Sequence, residues 1–252
     1  TYGCAGAGVD TIAIERLRDS FYDEKYRDNE TRLGQYNTLN SYMSTLEDYF
    51  TDDGKSGFST IFTSIQTALQ EVLKDSATAA SKQSFISKSQ SLTEYFNNMA
   101  GNLSELQKDV NSEIKTQVDS INSIASEIAN LDKQINVIEM TGSKANSLRD
   151  QRDTLVDKLS KIVDIQTSES PIYDTNNPTR ETGANRFLIK IAGGETLVDG
   201  NDYNTLTCVA RESTEKVNQS DIDGLFNIKW ENGSSLGVAN SSLGGSIKGL
   251  LQ

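Results

Sequence analysis

The chain has 252 residues, enough for one large domain or two medium ones, with 24 basic and 36 acidic side chains and no histidine. Its net charge of −12, unbroken by any basic cluster, opposes binding to nucleic acid or to anionic lipid. The missing imidazole removes Ser–His–Asp and Cys–His nucleophiles and His-ligated zinc, so any catalysis would rest on carboxylates, lysine or tyrosine.

The first residues, Thr1–Gly8, carry neither an initiator Met nor a charged-then-apolar signal peptide, so the chain reads as a piece of a longer protein. Gly3, Gly6 and Gly8 stand in the order G-x-x-G-x-G, with no preceding strand and no following Lys-Ser/Thr, which favours an entry turn over a phosphate loop. Asp10 is the expected N-cap of a helix reaching Phe50, with Tyr36, Leu39, Met43, Leu46 and Phe50 as its packed face. The aromatics Tyr36, Tyr42, Tyr49 and Phe50 are read as core or rim. Asp52-Asp53-Gly54 supplies a turn. A shorter amphipathic helix follows, with Phe58, Ile61, Ile65, Leu69 and Val72 on one side, and Lys74-Asp75-Ser76 ends it.

A long helix is expected from Thr78 to Met140, roughly 90 Å at 1.5 Å per residue. Its second half carries the strongest pattern in the chain. One heptad position reads Leu103, Val110, Gln117, Ile124, Leu131, Ile138, and the position four residues on reads Gln107, Ile114, Ile121, Ile128, Ile135. Leu106 and Val118 stand beside the two polar exceptions. A stripe of period 3.5 describes a helix packed lengthwise on other long helices, a shape suited to bearing force or building a polymer. Gly101 is the expected place for a bend. Thr141-Gly142-Ser143 turns the chain into a returning helix from Asn146 to Val163, with Leu148, Leu155, Leu159 and Ile162 facing inward. Within it, Arg149-Asp150-Gln151-Arg152-Asp153 is the densest charged constellation, and Arg149/Asp153 and Asp157/Lys161 are spaced for ion pairs. Helix-surface or inter-helix pairing explains that segment better than a carboxylate pair for glycoside hydrolysis, which needs a cleft.

Both prolines, Pro171 and Pro178, and ten of the eighteen glycines follow residue 165. That shift marks a boundary between a helical rod and a turn-rich β region. Short strands are expected at Phe187–Ile191, Thr196–Val198, Tyr203–Val209 and Phe226–Trp230, the last closing a hairpin at Glu231-Asn232-Gly233. Gly244–Leu251 reads as the start of another helix. Asp221-Ile222-Asp223-Gly224 lacks the full calcium-loop pattern and is read as a turn. Cys4 and Cys208 are too few and too far apart for a disulfide framework or a zinc site and are taken as free thiols. No stretch is long and apolar enough to span a membrane. The fold class is therefore α+β: an elongated antiparallel bundle of long helices over residues 1–165, a smaller β-rich domain over 166–243, and a returning helix beginning at 244–252. No residue is assigned a catalytic, cofactor-binding or metal-binding role, and no cofactor is expected.

Several segments, taken in order, resemble the flagellar hook-associated protein 1 family of hook–filament junction proteins. They are Gly8–Asp10 leading into Ile14–Asp19, Leu46–Phe50, Gly57–Thr60, Ile121–Ile135, Leu148–Leu155 and Gly193–Gly200. Asn146-Ser147-Leu148 departs locally from the asparagine-leucine-leucine common in the family. The resemblance implies a structural axial component of the bacterial flagellum, with a helical rod and an outer β-rich domain. It further implies partnership with the hook protein, the second junction protein and copies of itself. An extracellular location would be reached through the flagellar type III apparatus, with an export chaperone holding the carboxyl end. Assembly contacts would lie largely in terminal segments outside this chain, which would leave it monomeric. A carboxylate-dependent glycosidase in the β region and a coiled-coil adhesin stalk are the alternatives; a cleft with facing carboxyls or a parallel trimer would mark them.

Overall fold

The computed structural model describes residues 19–52, 57–74, 78–236 and 242–252. Helix α1 (Ser20–Phe50) begins where the Asp19 carboxylate accepts from the Phe21 N–H at 3.0 Å, so this helix starts at Ser20 and not at Asp10. Asp10, Cys4 and the glycines at 3, 6 and 8 lie outside the described residues, as do Asp53 and Gly54. Helix α2 (Phe58–Leu73) pairs with the early part of α3 (Ala79–Glu139), which opens on a capping box between Thr78 and Ser81. At 61 residues α3 is about 90 Å long and is the spine of the molecule. The chain reverses at Thr141–Gly142, where Gly142 takes a φ of 87°, and returns as α4 (Asn146–Ile162). Helix α5 (Gly245–Leu251) packs against α1, α3 and α4.

Two antiparallel sheets follow the helices. The first runs β1 (Ile165–Asp174), β2 (Asn177–Ile191), β3 (Glu195–Asp199), β4 (Asp202–Tyr203) in spatial order. The second runs β5 (Leu206–Ala210), β6 (Phe226–Trp230), β7 (Ser235–Leu236). The hairpins at residues 199–202 and 230–235 fall where the Asp-Gly and Asn-Gly pairs place them. The strand expected over Phe187–Ile191 is the end of a fifteen-residue strand, and β1 was not foreseen. The two form a long hairpin in which Ile165 pairs with Ile191 and Asp174 with Asn177. Pro171 and Pro178 do not mark turns. They sit in the outer part of this hairpin, where β1 is an edge strand with bulges beside Pro171 and Tyr173.

The Ile114, Ile121, Ile128, Ile135 row is buried, as its spacing requires. Of the expected row, Leu131 is buried and Leu103, Val110 and Ile124 are half-buried, but Gln117 and Ile138 break it, and the fuller second row lies elsewhere. It is Val118, Ala125, Asp132 and Glu139, one residue further round the helix. Ile138 is 37 % exposed. Two charged residues displace apolar ones because arginines of α4 meet them there.

The face expected for α1 is also corrected. Tyr36, Met43 and Phe50 are exposed while Leu39 and Leu46 are half-buried, and the packed positions also include Arg27, Thr31, Gly34, Gln35, Thr38 and Tyr42. Backbones come too close there for large side chains. A Cβ on Gly34 would lie 2.1 Å from the Lys161 carbonyl oxygen, and one on Gly249 would lie 2.7 Å from that of Gln35. The apolar face of α2 is closer to expectation, with Ala68 buried and Ile61, Ile65 and Val72 half-buried, while Phe58 and Leu69 are exposed.

The change of composition near residue 166 coincides with the change from helix to strand. The core does not divide there. A single cluster joins Ile114–Leu131 of α3 and Leu155–Leu159 of α4 to Phe187, Ile189 and Val198 of the first sheet, Leu206, Ile228 and Trp230 of the second, and Ile247 of α5. The second half of α3, α4 and both sheets are thus layers around shared apolar residues.

Candidate functional site at the junction of rod and sheets

The polar contacts that position the sheets on α3 come from its side-chain amides. The Asn122 Nδ2 donates to the Leu206 carbonyl and its Oδ1 accepts from the Leu206 N–H, each at 2.8 Å. Asn111 does the same across β6, donating to the Gly224 carbonyl at 3.1 Å and accepting from the Phe226 N–H at 2.7 Å. Gln107 accepts from the Ile222 N–H and donates to the Asp221 carboxylate. Asn136 accepts from the Asn185 N–H of β2 at 2.8 Å. A carboxamide presents one acceptor and one donor, as a neighbouring strand would, so these side chains pair with backbone groups at the starts of β5 and β6, within β2 and in the turn at Asp221–Ile222. The spacing of 4, 11 and 14 residues keeps all four on one side of α3.

A second set of contacts lies at the α3–α4 turn. The Arg149 guanidinium bonds Glu139 through Nε at 2.7 Å and Nη2 at 2.6 Å, and its Nη1 reaches Glu169 of β1 at 2.9 Å. Arg152 bonds Asp132 at 2.9 Å and Glu169 at 3.0 Å, with its guanidinium 3.8 Å from the centre of the Phe187 ring. Glu139 also accepts from the Ala145 N–H, serving the α4 N-terminus where the cap residue offers no side-chain acceptor. Bonding to Arg149 holds the Glu139 carboxyl below its usual range despite burial, and Glu139 in turn pushes the Arg149 pKa up. Asp132 moves the other way. Burial raises it to about 6, outweighing the opposing pull of Arg152. Further along, Arg27 of α1 bonds Asp157 at 2.8 Å, and the Thr31 hydroxyl donates to the Ser160 carbonyl at 2.7 Å. Lys161 pairs with Glu30 at 3.0 Å. The charges of α4 thus join helices and sheet, and Arg149 takes its partners from α3 and β1.

Two further features singled out in the sequence lie beside this junction. Asp221 accepts from the Asn218 N–H and Lys216 reaches Asp223 at 2.8 Å, a turn in which Gly224 has a φ of 84°. Cys208 is a free thiol beside Lys115, Asp119 and Asn122, its pKa raised by burial. Among the described residues no group of three or more carboxylates and cysteines is placed to hold a metal ion, and no helix is long and apolar enough to cross a membrane. A groove of about 660 Å³ lies between α1, α3 and the end of α5, lined by Leu39, Leu46, Leu103, Val110 and Leu251. Its lining is mainly apolar, as in a helix-packing groove, with Arg211 and Asp221 its charged members.

This arrangement of a long spine, a returning helix and two docked sheets has solved counterparts. The flagellar hook junction protein FlgK from Burkholderia pseudomallei superposes with a TM-score of 0.72 at 26 % identity, over 90 % of this chain and 38 % of that one. The family model for the flagellar hook-associated protein FlgK helical domain matches residues 43–252. The chain belongs to the FlgK helical-domain family. Flagellar hook-associated protein 1 of Bacillus subtilis is 34 % identical over 168 residues, covering 67 % of this chain and 33 % of that relative. Its namesake in Salmonella typhimurium is 30 % identical over 209 residues, covering 82 % and 35 %. The chain therefore spans about a third of the length of these curated relatives. The FlgK match runs from the end of α1 through both sheets to α5, so both sheets lie inside the family's helical domain with α2–α5.

Proposed function

We propose that this chain is the rod-bearing part of a structural axial component that joins hook to filament in the bacterial flagellum. The observation that carries this reading is the match of residues 43–252 to the FlgK helical domain. The 61-residue spine supports it, since a helix about 90 Å long, clamped by a second helix and two sheets, resists bending under load. Residues 1–165 supply the rod, 166–243 the outer β-rich part and 244–252 a returning helix. Partners are the hook protein, a second junction protein and further copies of the same protein, and an export chaperone engages the carboxyl end. Its place is extracellular, reached through the flagellar type III apparatus, and it performs no catalysis.

Taken alone, the 252-residue chain is a monomer, its net charge of −12 repelling like copies at low salt. Sedimentation velocity checks this, and a concentration-independent dimer or ring would contradict it. The function itself is tested by deleting the gene for the parent protein. Cells should grow hooks without attached filaments and swim again when the gene is restored. Normal filaments on the deleted cells would refute the assignment.

A further inference from the structure

The cluster at the α3–α4 turn holds more negative charge than its arginines balance. Asp132, Glu139 and Glu169 face Arg149 and Arg152, and Asp153 lies 4.0 Å from both Arg152 and Arg27. Asp132 is 1 % exposed, and its Oδ2 and the Arg152 Nε are buried without a hydrogen-bond partner. An ionised oxygen so placed has lost its water and gained nothing in return, which favours the neutral acid. Within the cluster, only Glu169 belongs to the β1–β2 hairpin, and its side chain is 27 % exposed. It is the member free to swing toward solvent.

We infer that Asp132 is the proton-binding element of a latch tying the β1–β2 hairpin to α3 and α4, and that the latch tightens as the medium turns mildly acidic. A proton taken from solvent binds the bare Oδ2, and the carboxylate becomes a carboxylic acid. One negative charge leaves the buried cluster, while Oδ1 still accepts from Arg152. Arg149 and Arg152 then hold Glu169 against less repulsion from its neighbours, and the hairpin opens less often.

The direction follows from burial. A folded-state pKa of about 6, above the ordinary aspartate value of 3.8, adds stability that is complete below the ordinary value and is lost as pH rises through about 6. The groups facing Asp132 are Glu139 on its own helix, Arg149, Arg152 and Asp153 from α4, and Glu169 from β1. The β2 strand contributes the uncharged Phe187 ring, and Arg27 of α1 reaches the cluster through Asp153. Glu139 shifts downward, so its contribution is lost only at lower pH. Asp164, at the α4–β1 turn, is raised by burial and by Asp28, and must be separated from Asp132 by mutation.

Hydrogen exchange of the 252-residue chain, corrected for intrinsic rates, tests the latch between about pH 5 and about pH 8. Opening of β1 and β2 should be about tenfold less frequent at the lower pH, which lies about one unit below the folded-state pKa of about 6. Asp132→Asn should be protected at every pH and show no such dependence, since its amide can occupy the Oδ2 position uncharged. Wild-type protection independent of pH, or an Asn variant that keeps the dependence, overturns the inference. Should that variant not fold, a carboxyl-carbon NMR titration of wild-type Asp132 decides, with a midpoint near 6 expected and an ordinary aspartate midpoint contradicting it.

Discussion

Asn122 meets Leu206 as one strand meets another, giving and accepting one hydrogen bond at 2.8 Å each. Leu206 begins β5 and is 2 % exposed, so its N–H and carbonyl have little access to water if the amide is removed. Asn122→Ala should therefore lower stability by roughly 1–3 kcal/mol per orphaned group, less what water recovers. Asn122→Asp keeps the acceptor and loses the donor, and should fall between the two. Urea unfolding of the three proteins checks the order; an Ala variant as stable as wild type would show that apolar contacts alone seat the second sheet.

Ile128 is fully buried in the last third of α3, in the core shared with α4 and the sheets. Ile128→Asp would place an unpaired carboxylate there, at a cost of several kcal/mol. Cooperative thermal melting followed by circular dichroism should be lost, and an unchanged melting curve would refute the placement.

Two helical glycines should respond in opposite directions. Gly34 lies against the α4 backbone, and its added Cβ would meet the Lys161 carbonyl oxygen at 2.1 Å, whereas Gly101 has nothing within 4 Å. Gly34→Ala should destabilise by about 1–3 kcal/mol through forced separation of α1 and α4. Gly101→Ala should stabilise by up to about 1 kcal/mol, since alanine is the better helix former. Denaturant midpoints measured side by side decide this; equal responses would mean that α1 and α4 do not approach as closely as described.

The shared core makes a prediction about truncation. A chain ending at Thr167 would lose Ile189, Val198, Leu206, Ile228 and Trp230 from the face of α3, and α5 from the bundle. It should retain helix by circular dichroism but melt broadly, without the single transition of the longer chain. A sharp transition at the original temperature would show that the β-rich residues fold as a separate unit.

The parts legible in the sequence were those where large apolar residues recur at a fixed period. The Ile114–Ile135 row, the ends of α3, the β6–β7 hairpin and the burial of Leu155 and Leu159 belong here. Misreadings arose where burial is achieved by other chemistry. Asp132 and Glu139 fall outside the apolar heptad rows, and their arginine partners lie 20 and 10 residues further along the chain. Thr31 and Gly34 carry no apolar signal, since close backbone contact needs small residues. Strand β1 is exposed along most of its length, so it shows no alternation to detect. The asparagines of α3 offered one usable signal: Asn111, Asn122 and Asn136 recur on one face of the helix, beside its isoleucine row.

The most direct test of the junction assignment is immunogold electron microscopy of isolated flagella, using antibodies raised against the 252-residue chain. Gold should gather in a narrow band where hook meets filament, on each flagellum, and vanish when the antibody is preabsorbed with the chain. Label spread along the filament, or confined to the cell body, would contradict the account.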